Sequence, residues 1–197
     1  MIIDFYFDFM SPFSYLAHHK LRKLARQHDI AICYHAVDLA RLKKAIGNVG
    51  PSNRDLKVKF NYLQNDLQRW ADIYGIPLNF PPNYNSQRIN TGLYYPGAAA
   101  REAEYVCAMF SEVWGGGVAP DADSLLEKVA NDLGWTNATF LDFLNSAVAI
   151  DVYEAETGAA IDRKIFGVPT ICIGNEMWWG NDRLFMVEKF IKERSQA

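Results

Sequence analysis

Sulfur is scarce in this chain: its 197 residues carry three cysteines, Cys33, Cys107 and Cys172, each inside an apolar segment. An odd number at scattered positions argues against a disulfide framework. We expect small buried hydrophobes, Cys33 and Cys172 on strands and Cys107 on a helix. A secretory leader pattern is missing too, because Asp4 and Asp8 interrupt the first apolar run and no basic stretch precedes it. Both absences point to a reducing cytoplasm. No run approaches the ~18 apolar residues of a membrane span. The net charge of -3 leaves no basic face for nucleic acid. Metal spacing is also lacking among His18, His19, His28 and His35, and the adjacent pair cannot share one helix face. No metal site is expected.

Against these absences stands Met10-Ser11-Pro12-Phe13-Ser14. The apolar run Ile2 to Phe7 reads as a buried strand, and Phe13, Leu16, Ala17, Leu21, Leu24 and Ala25 recur at helical spacing after the turn. Pro12 suits the first helical position, where its missing N–H loses no partner. Ser11 is then the N-cap, at the positive end of the helix dipole. The layout is that of a C-P-x-C redox site with serine at both sulfur positions. In a redox enzyme that field lowers a cysteine pKa. Here it suits a thiolate that comes from outside the chain, although capping alone also explains Ser11.

A second element lies at Phe166-Gly167-Val168-Pro169-Thr170. Proline entering a β-branched strand is expected at the first strand residue or in a cis turn. Ile171 to Ile173, Gly174-Asn175 and Met177 to Trp179 read as a hairpin, and Gly180-Asn181-Asp182-Arg183 opens a last helix. The expected organisation is a discontinuous α/β domain, residues 1–37 and 155–197, around a helical insert of residues 38–154. In the insert a helix is expected after Ser52, with Asp55 completing a capping box, ending at Gly75-Ile76-Pro77. An aromatic, proline-rich loop covers Asn79 to Asn85. Further helices are expected from Gly97 to Trp114, over 121–133 and over 137–148.

The opening D-F-x-S-P-F-S-Y, the F-G-V-P-T at residues 166–170 and the W-G-N-D-R-L at residues 179–184 together resemble the DsbA-type branch of the thioredoxin fold. Its glutathione-using members are the kappa-class glutathione transferases and the similar 2-hydroxychromene-2-carboxylate isomerases. The likeness runs over essentially the whole chain and is nearest to the isomerases. It implies a thioredoxin-like fold with a large helical insertion and a cis Pro169. It also implies glutathione as cofactor, held at Ser11, Val168, Pro169, Trp179, Asn181, Asp182 and Arg183, with Ser11 catalytic. A small aromatic hydroxy or keto acid from naphthalene breakdown would be the substrate, bound by Lys43, Asn53, Arg54 and Tyr84. A homodimer is implied as well. Conjugation of glutathione to an electrophile, as in the kappa class, is the alternative activity. A non-catalytic binding protein on a thioredoxin scaffold is the second alternative.

Overall fold

The computed structural model describes residues 1–195. Strand β1 (Ile2–Phe7) buries Ile3, Phe5 and Phe7 completely on one face and turns Asp4 and Tyr6 to the other. Helix α1 (Pro12–Gln27) lays Leu16, Ala17, Leu21 and Leu24 against the first face. Its return leads to β2 (Ala31–Ala36), parallel to β1 with Phe5 opposite Tyr34. Strands β3 (Thr170–Ile173) and β4 (Glu176–Trp179) form a hairpin, turned at Gly174 with φ of 59°. β3 lies antiparallel to β1, so the sheet order is β2-β1-β3-β4. A 3-10 turn (Asn181–Arg183) precedes α9 (Leu184–Ser195), whose Leu184, Val187 and Ile191 join the α1 core.

Between β2 and β3 the chain is helical: α2 (Leu39–Ala45), α3 (Lys57–Tyr74), α4 (Gln87–Gly92), α5 (Glu102–Phe110), α6 (Asp123–Asp132), α7 (Asn137–Leu144) and α8 (Ala147–Asp162). The opposite face of the sheet is covered by a smaller cluster, in which Ala160 and Ile165 pack with Tyr6, Val168 and Cys172.

Several local expectations need correction. The Ser52–Asp55 pair exists, with Asp55 Oδ2 accepting from Ser52 N at 2.8 Å and Oγ at 2.7 Å, but it closes a separate turn. Helix α3 starts only at Lys57, without a side-chain cap. The helix expected from Gly97 to Trp114 breaks into a 3-10 turn (Pro96–Ala98), α5 and a π-helical turn (Ser111–Gly115), because Arg101 leaves helical geometry at φ -136° and ψ 22°. The helix expected over 137–148 stops at Leu144, and Ser146 caps α8 by accepting from Ala149 N at 3.2 Å. Helix α4 had no counterpart in the reading of the sequence. Of the cysteines, Cys172 is buried and Cys107 half-buried, but Cys33 is exposed, because β2 is an edge strand and its open side is not covered there.

Phe110 joins the insert to the sheet, with ring centroids 5.5 Å from Phe7, 4.6 Å from Phe9 and 5.3 Å from His18. Phe110→Ala is therefore expected to lower unfolding free energy by about 3–5 kcal/mol. Urea denaturation checks this, and a loss under about 1 kcal/mol would mean that the halves do not depend on this ring.

Candidate active site

The site forms where β1 ends. Ser11 has the extended backbone of an N-cap, and its hydroxyl accepts from Ser14 N at 3.2 Å. Accepting leaves the hydroxyl proton free for another acceptor. Phe13 N–H, in the first turn, has no intrahelical carbonyl to bond. Ser14 Oγ is buried without a hydrogen-bond partner. The helix dipole and these groups make a spot suited to an anion.

The register of β1 and β3, with Tyr6 opposite Thr170, brings the turn before β3 alongside this spot. The Val168–Pro169 peptide there is cis. Gly180 N donates to Pro169 O at 2.9 Å and ties on the start of the 3-10 turn. Among the described residues, neither the N–H nor the C=O of Val168 enters a backbone hydrogen bond. A free donor and acceptor on one residue can pair with an extended peptide, as an added strand does.

The remaining walls come from the hairpin and the last turn. Trp179 is half-exposed, rests its ring 5.3 Å from Phe166, and lies over Gly167. A Cβ at Gly167 would stand 2.9 Å from the indole nitrogen, so a side chain there would push the ring aside. Asn181 is buried, and its Nδ2 makes no full hydrogen bond although the Tyr74 hydroxyl is close enough to interact with it. Asp182 and Arg183 are half-exposed and paired with each other. A buried amide without a partner needs compensation. A ligand that offers an acceptor beside Asn181 supplies it.

The other expected residues lie on the insert. Tyr84 packs against Trp114, and the Arg54 guanidinium stacks on the Tyr84 ring at 3.8 Å. Asn53 and Arg54 belong to the turn before α3 and not to a helix start, the consequence of the Ser52–Asp55 closure. Lys43, in the last turn of α2, is half-buried and its ammonium makes no hydrogen bond or ion pair among the described residues. A cavity of ≈ 490 Å³ is lined in part by Tyr84 and Met10. Its walls carry Asp8, Asp38, Asp121 and Glu154 against Arg41 and Arg88, so acidic groups outnumber basic ones and it suits an anion poorly.

Asp8 is the residue the sequence reading missed. It is buried, and its carboxylate accepts from Met10 N at 3.0 Å, Ser86 Oγ at 2.6 Å, Asn90 Nδ2 at 2.9 Å and Leu39 N at 3.1 Å. Burial pushes the carboxyl up, and the four donors act in the opposite direction. One side chain thus fixes the Ser11 turn, the start of α2 that carries Lys43, and the segment after Tyr84. Its place at the head of the D-F-x-S-P pattern was the available signal. Trp114 adds a further tie, donating its indole N–H to Phe9 O at 2.7 Å from the π-helical turn.

Comparison with known proteins agrees with this architecture. A family model described as a DSBA-like thioredoxin domain matches residues 2–192. The 2-hydroxychromene-2-carboxylate isomerase of Pseudomonas putida is 62% identical over 188 residues, 95% of this chain and 93% of that protein. The one from Pseudomonas sp. (strain C18) is 60% identical over 191 residues, 97% and 90% of the two chains. A solved structure of a 2-hydroxychromene-2-carboxylate isomerase superposes with a TM-score of 0.97 at 59% identity, covering 100% of this chain and 97% of the other.

Asp8→Ala removes the acceptor from four donors at once, of which Ser86 Oγ and Asn90 Nδ2 are buried. An unsatisfied buried donor costs about 1–3 kcal/mol, so a loss of at least about 3 kcal/mol is expected in urea unfolding. A loss below about 1 kcal/mol would show that the three segments are held by other contacts.

Proposed function

The chain belongs to the DSBA-like thioredoxin family and, within it, to the 2-hydroxychromene-2-carboxylate isomerases, and on that premise we propose that it converts 2-hydroxychromene-2-carboxylate into trans-o-hydroxybenzylidenepyruvate in naphthalene breakdown with glutathione as cofactor. The observation that carries the cofactor is the capped, sulfur-free helix start at Ser11 beside Val168, whose N–H and C=O are both unbonded. Glutathione held there by Ser11, Val168 and Asn181 would supply a nucleophilic thiolate that is also a competent leaving group, the chemistry that reversible addition to an enone and cis-to-trans isomerisation need.

Every other part belongs to the chain. Ser11 donates its free hydroxyl proton to the sulfur, and the first-turn amides of α1 favour the charged form. Val168 pairs through its main chain with the cysteinyl residue. The unpartnered Asn181 amide, together with Asp182 and Arg183, receives the γ-glutamyl end, with Trp179 and Pro169 as walls. Lys43, Asn53 and Arg54 gather the substrate carboxylate, while Tyr84 offers a flat face to the aromatic ring. The positive charge of Lys43 and Arg54 also stabilises the enolate formed on addition.

We assign the enzyme to the cytoplasm, where its three free cysteines stay reduced. No helix among the described residues is long and apolar enough to cross a membrane. The assembly is a homodimer, and sedimentation of the purified protein tests it.

Ser11→Ala keeps the backbone amides and removes one charge-assisted hydrogen bond. The pKa of the bound thiol should rise by about one to two units, at 1.36 kcal/mol per unit. Less thiolate then exists at neutral pH, so turnover falls at least about tenfold and partly recovers as pH rises. The ultraviolet absorbance of bound thiolate against pH is the direct measurement. Unchanged titration and turnover would reduce Ser11 to a cap. Lys43→Ala should lower kcat/KM for the acid roughly ten- to a hundredfold while glutathione affinity changes little. Equal losses in both would move Lys43 out of the substrate site.

A further inference from the structure

Away from the Ser11 turn, on the opposite face of the sheet, three side chains of metal-binding type converge. Asp4 on β1 is the register partner of Cys33 on β2, and His35 lies two residues further along β2 on the same face. One ligand atom from each of Asp4, Cys33 and His35 lies within 4.8 Å of the others. His35 Nε2 stands 3.4 Å from Asp4 Oδ1. Around tetrahedral zinc, with metal–nitrogen and metal–oxygen bonds of about 2.0–2.1 Å, such ligand atoms are ~3.3 Å apart. The pair is therefore already at a ligating separation, and the Cys33 thiol lies within 4.8 Å of both on an exposed edge strand where it is free to approach.

The surroundings are ordered in the way a metal site requires. His35 Nδ1 lies 3.6 Å from Glu156 Oε2, an ion-pair distance that places the carboxylate behind the ring on the side away from Asp4. A carboxylate behind a ligating histidine is the common second partner in zinc sites. Asp4 Oδ2 is held at 2.7 Å by Arg163, which leaves Oδ1 directed to the cluster. Tyr6 stacks on the His35 ring at 4.5 Å and restrains it further. An ion pair between His35 and its two carboxylates accounts for the imidazole, but not for a thiol brought to the same point.

We propose that Asp4, Cys33 and His35 form a Zn²⁺ site, with Glu156 and Arg163 as its outer supports. The mixed O, S and N set fits zinc, and the exposed side of Cys33 leaves a fourth position for water. Binding deprotonates the Cys33 thiol, and the proton passes to solvent. Four residue steps, roughly 13 Å, lead from Asp4 along β1 to Asp8 just past its end. The site thus lies apart from the thiolate position and bears on stability, because a cation that binds only the folded chain favours it. The spacing of histidines along the chain conceals the cluster, since sheet register and not sequence brings Asp4 to it.

Titration of the full-length protein with Co²⁺ as a spectroscopic stand-in, followed by Zn²⁺ competition, tests this. The expected result is one equivalent of Co²⁺ with a sulfur-to-cobalt charge-transfer band, displaced by Zn²⁺, and a higher Tm with Zn²⁺. Cys33→Ser should abolish the band and the Tm increase without changing metal-free isomerase turnover. Glu156→Gln should weaken Zn²⁺ about tenfold. No charge-transfer band, or one that persists in Cys33→Ser, would overturn the assignment.

Discussion

The buried carboxylate of Asp8 is the constraint on which the site depends. A charge there is costly unless donors surround it. They come from three places that share no local sequence: the turn before α1, the start of α2 and the segment entering α4. Asn90, one of these donors, also gives its side-chain N–H to Tyr153 on α8 and accepts from Phe9 N. The carboxylate thereby links the sheet to the insert at the point where both contribute functional groups. Apolar packing around Phe110 also holds this junction together, but packing alone does not set the direction of a turn.

A helix start without sulfur explains how a redox-type scaffold can serve an isomerase. The dipole that would depress a cysteine pKa is retained, and Ser11 cannot enter disulfide exchange. Ser14 Oγ and Asn181 Nδ2, both buried and unpartnered, are further groups that the folded chain does not satisfy by itself. Such groups are uneconomical in a core and sensible at a ligand surface.

Much of the architecture was legible because period and punctuation agreed. Ile2 to Phe7, the α1 pattern, Pro12 and the Gly174-Asn175 turn each pointed to one element. The insert was less readable, since its breaks come from tertiary contacts. Ser52 and Asp55 have the residue types of a capping box, yet their hydrogen bonds close a turn ahead of α3. The stretch through Arg101 has helical composition, but its guanidinium reaches Leu133 O at 2.7 Å and the backbone bends there. Cys33 had the apolar neighbours of a buried residue, and only the strand order reveals that β2 is an edge. Ser11 and Val168 could be singled out from local motifs, whereas the role of Asp8 depends on partners more than 30 residues away.

The stack of Arg54 on Tyr84 has a consequence for how tightly an acid can be held. A free arginine on a turn samples many rotamers, and a carboxylate that captures it must arrest all of them. With its face against an aromatic ring, the guanidinium keeps its donors in one plane and its long side chain is already restrained. That entropy is lost when the chain folds. On the proposed reading, in which Arg54 takes the substrate carboxylate, capture would arrest little further motion and leave more of the electrostatic attraction as affinity.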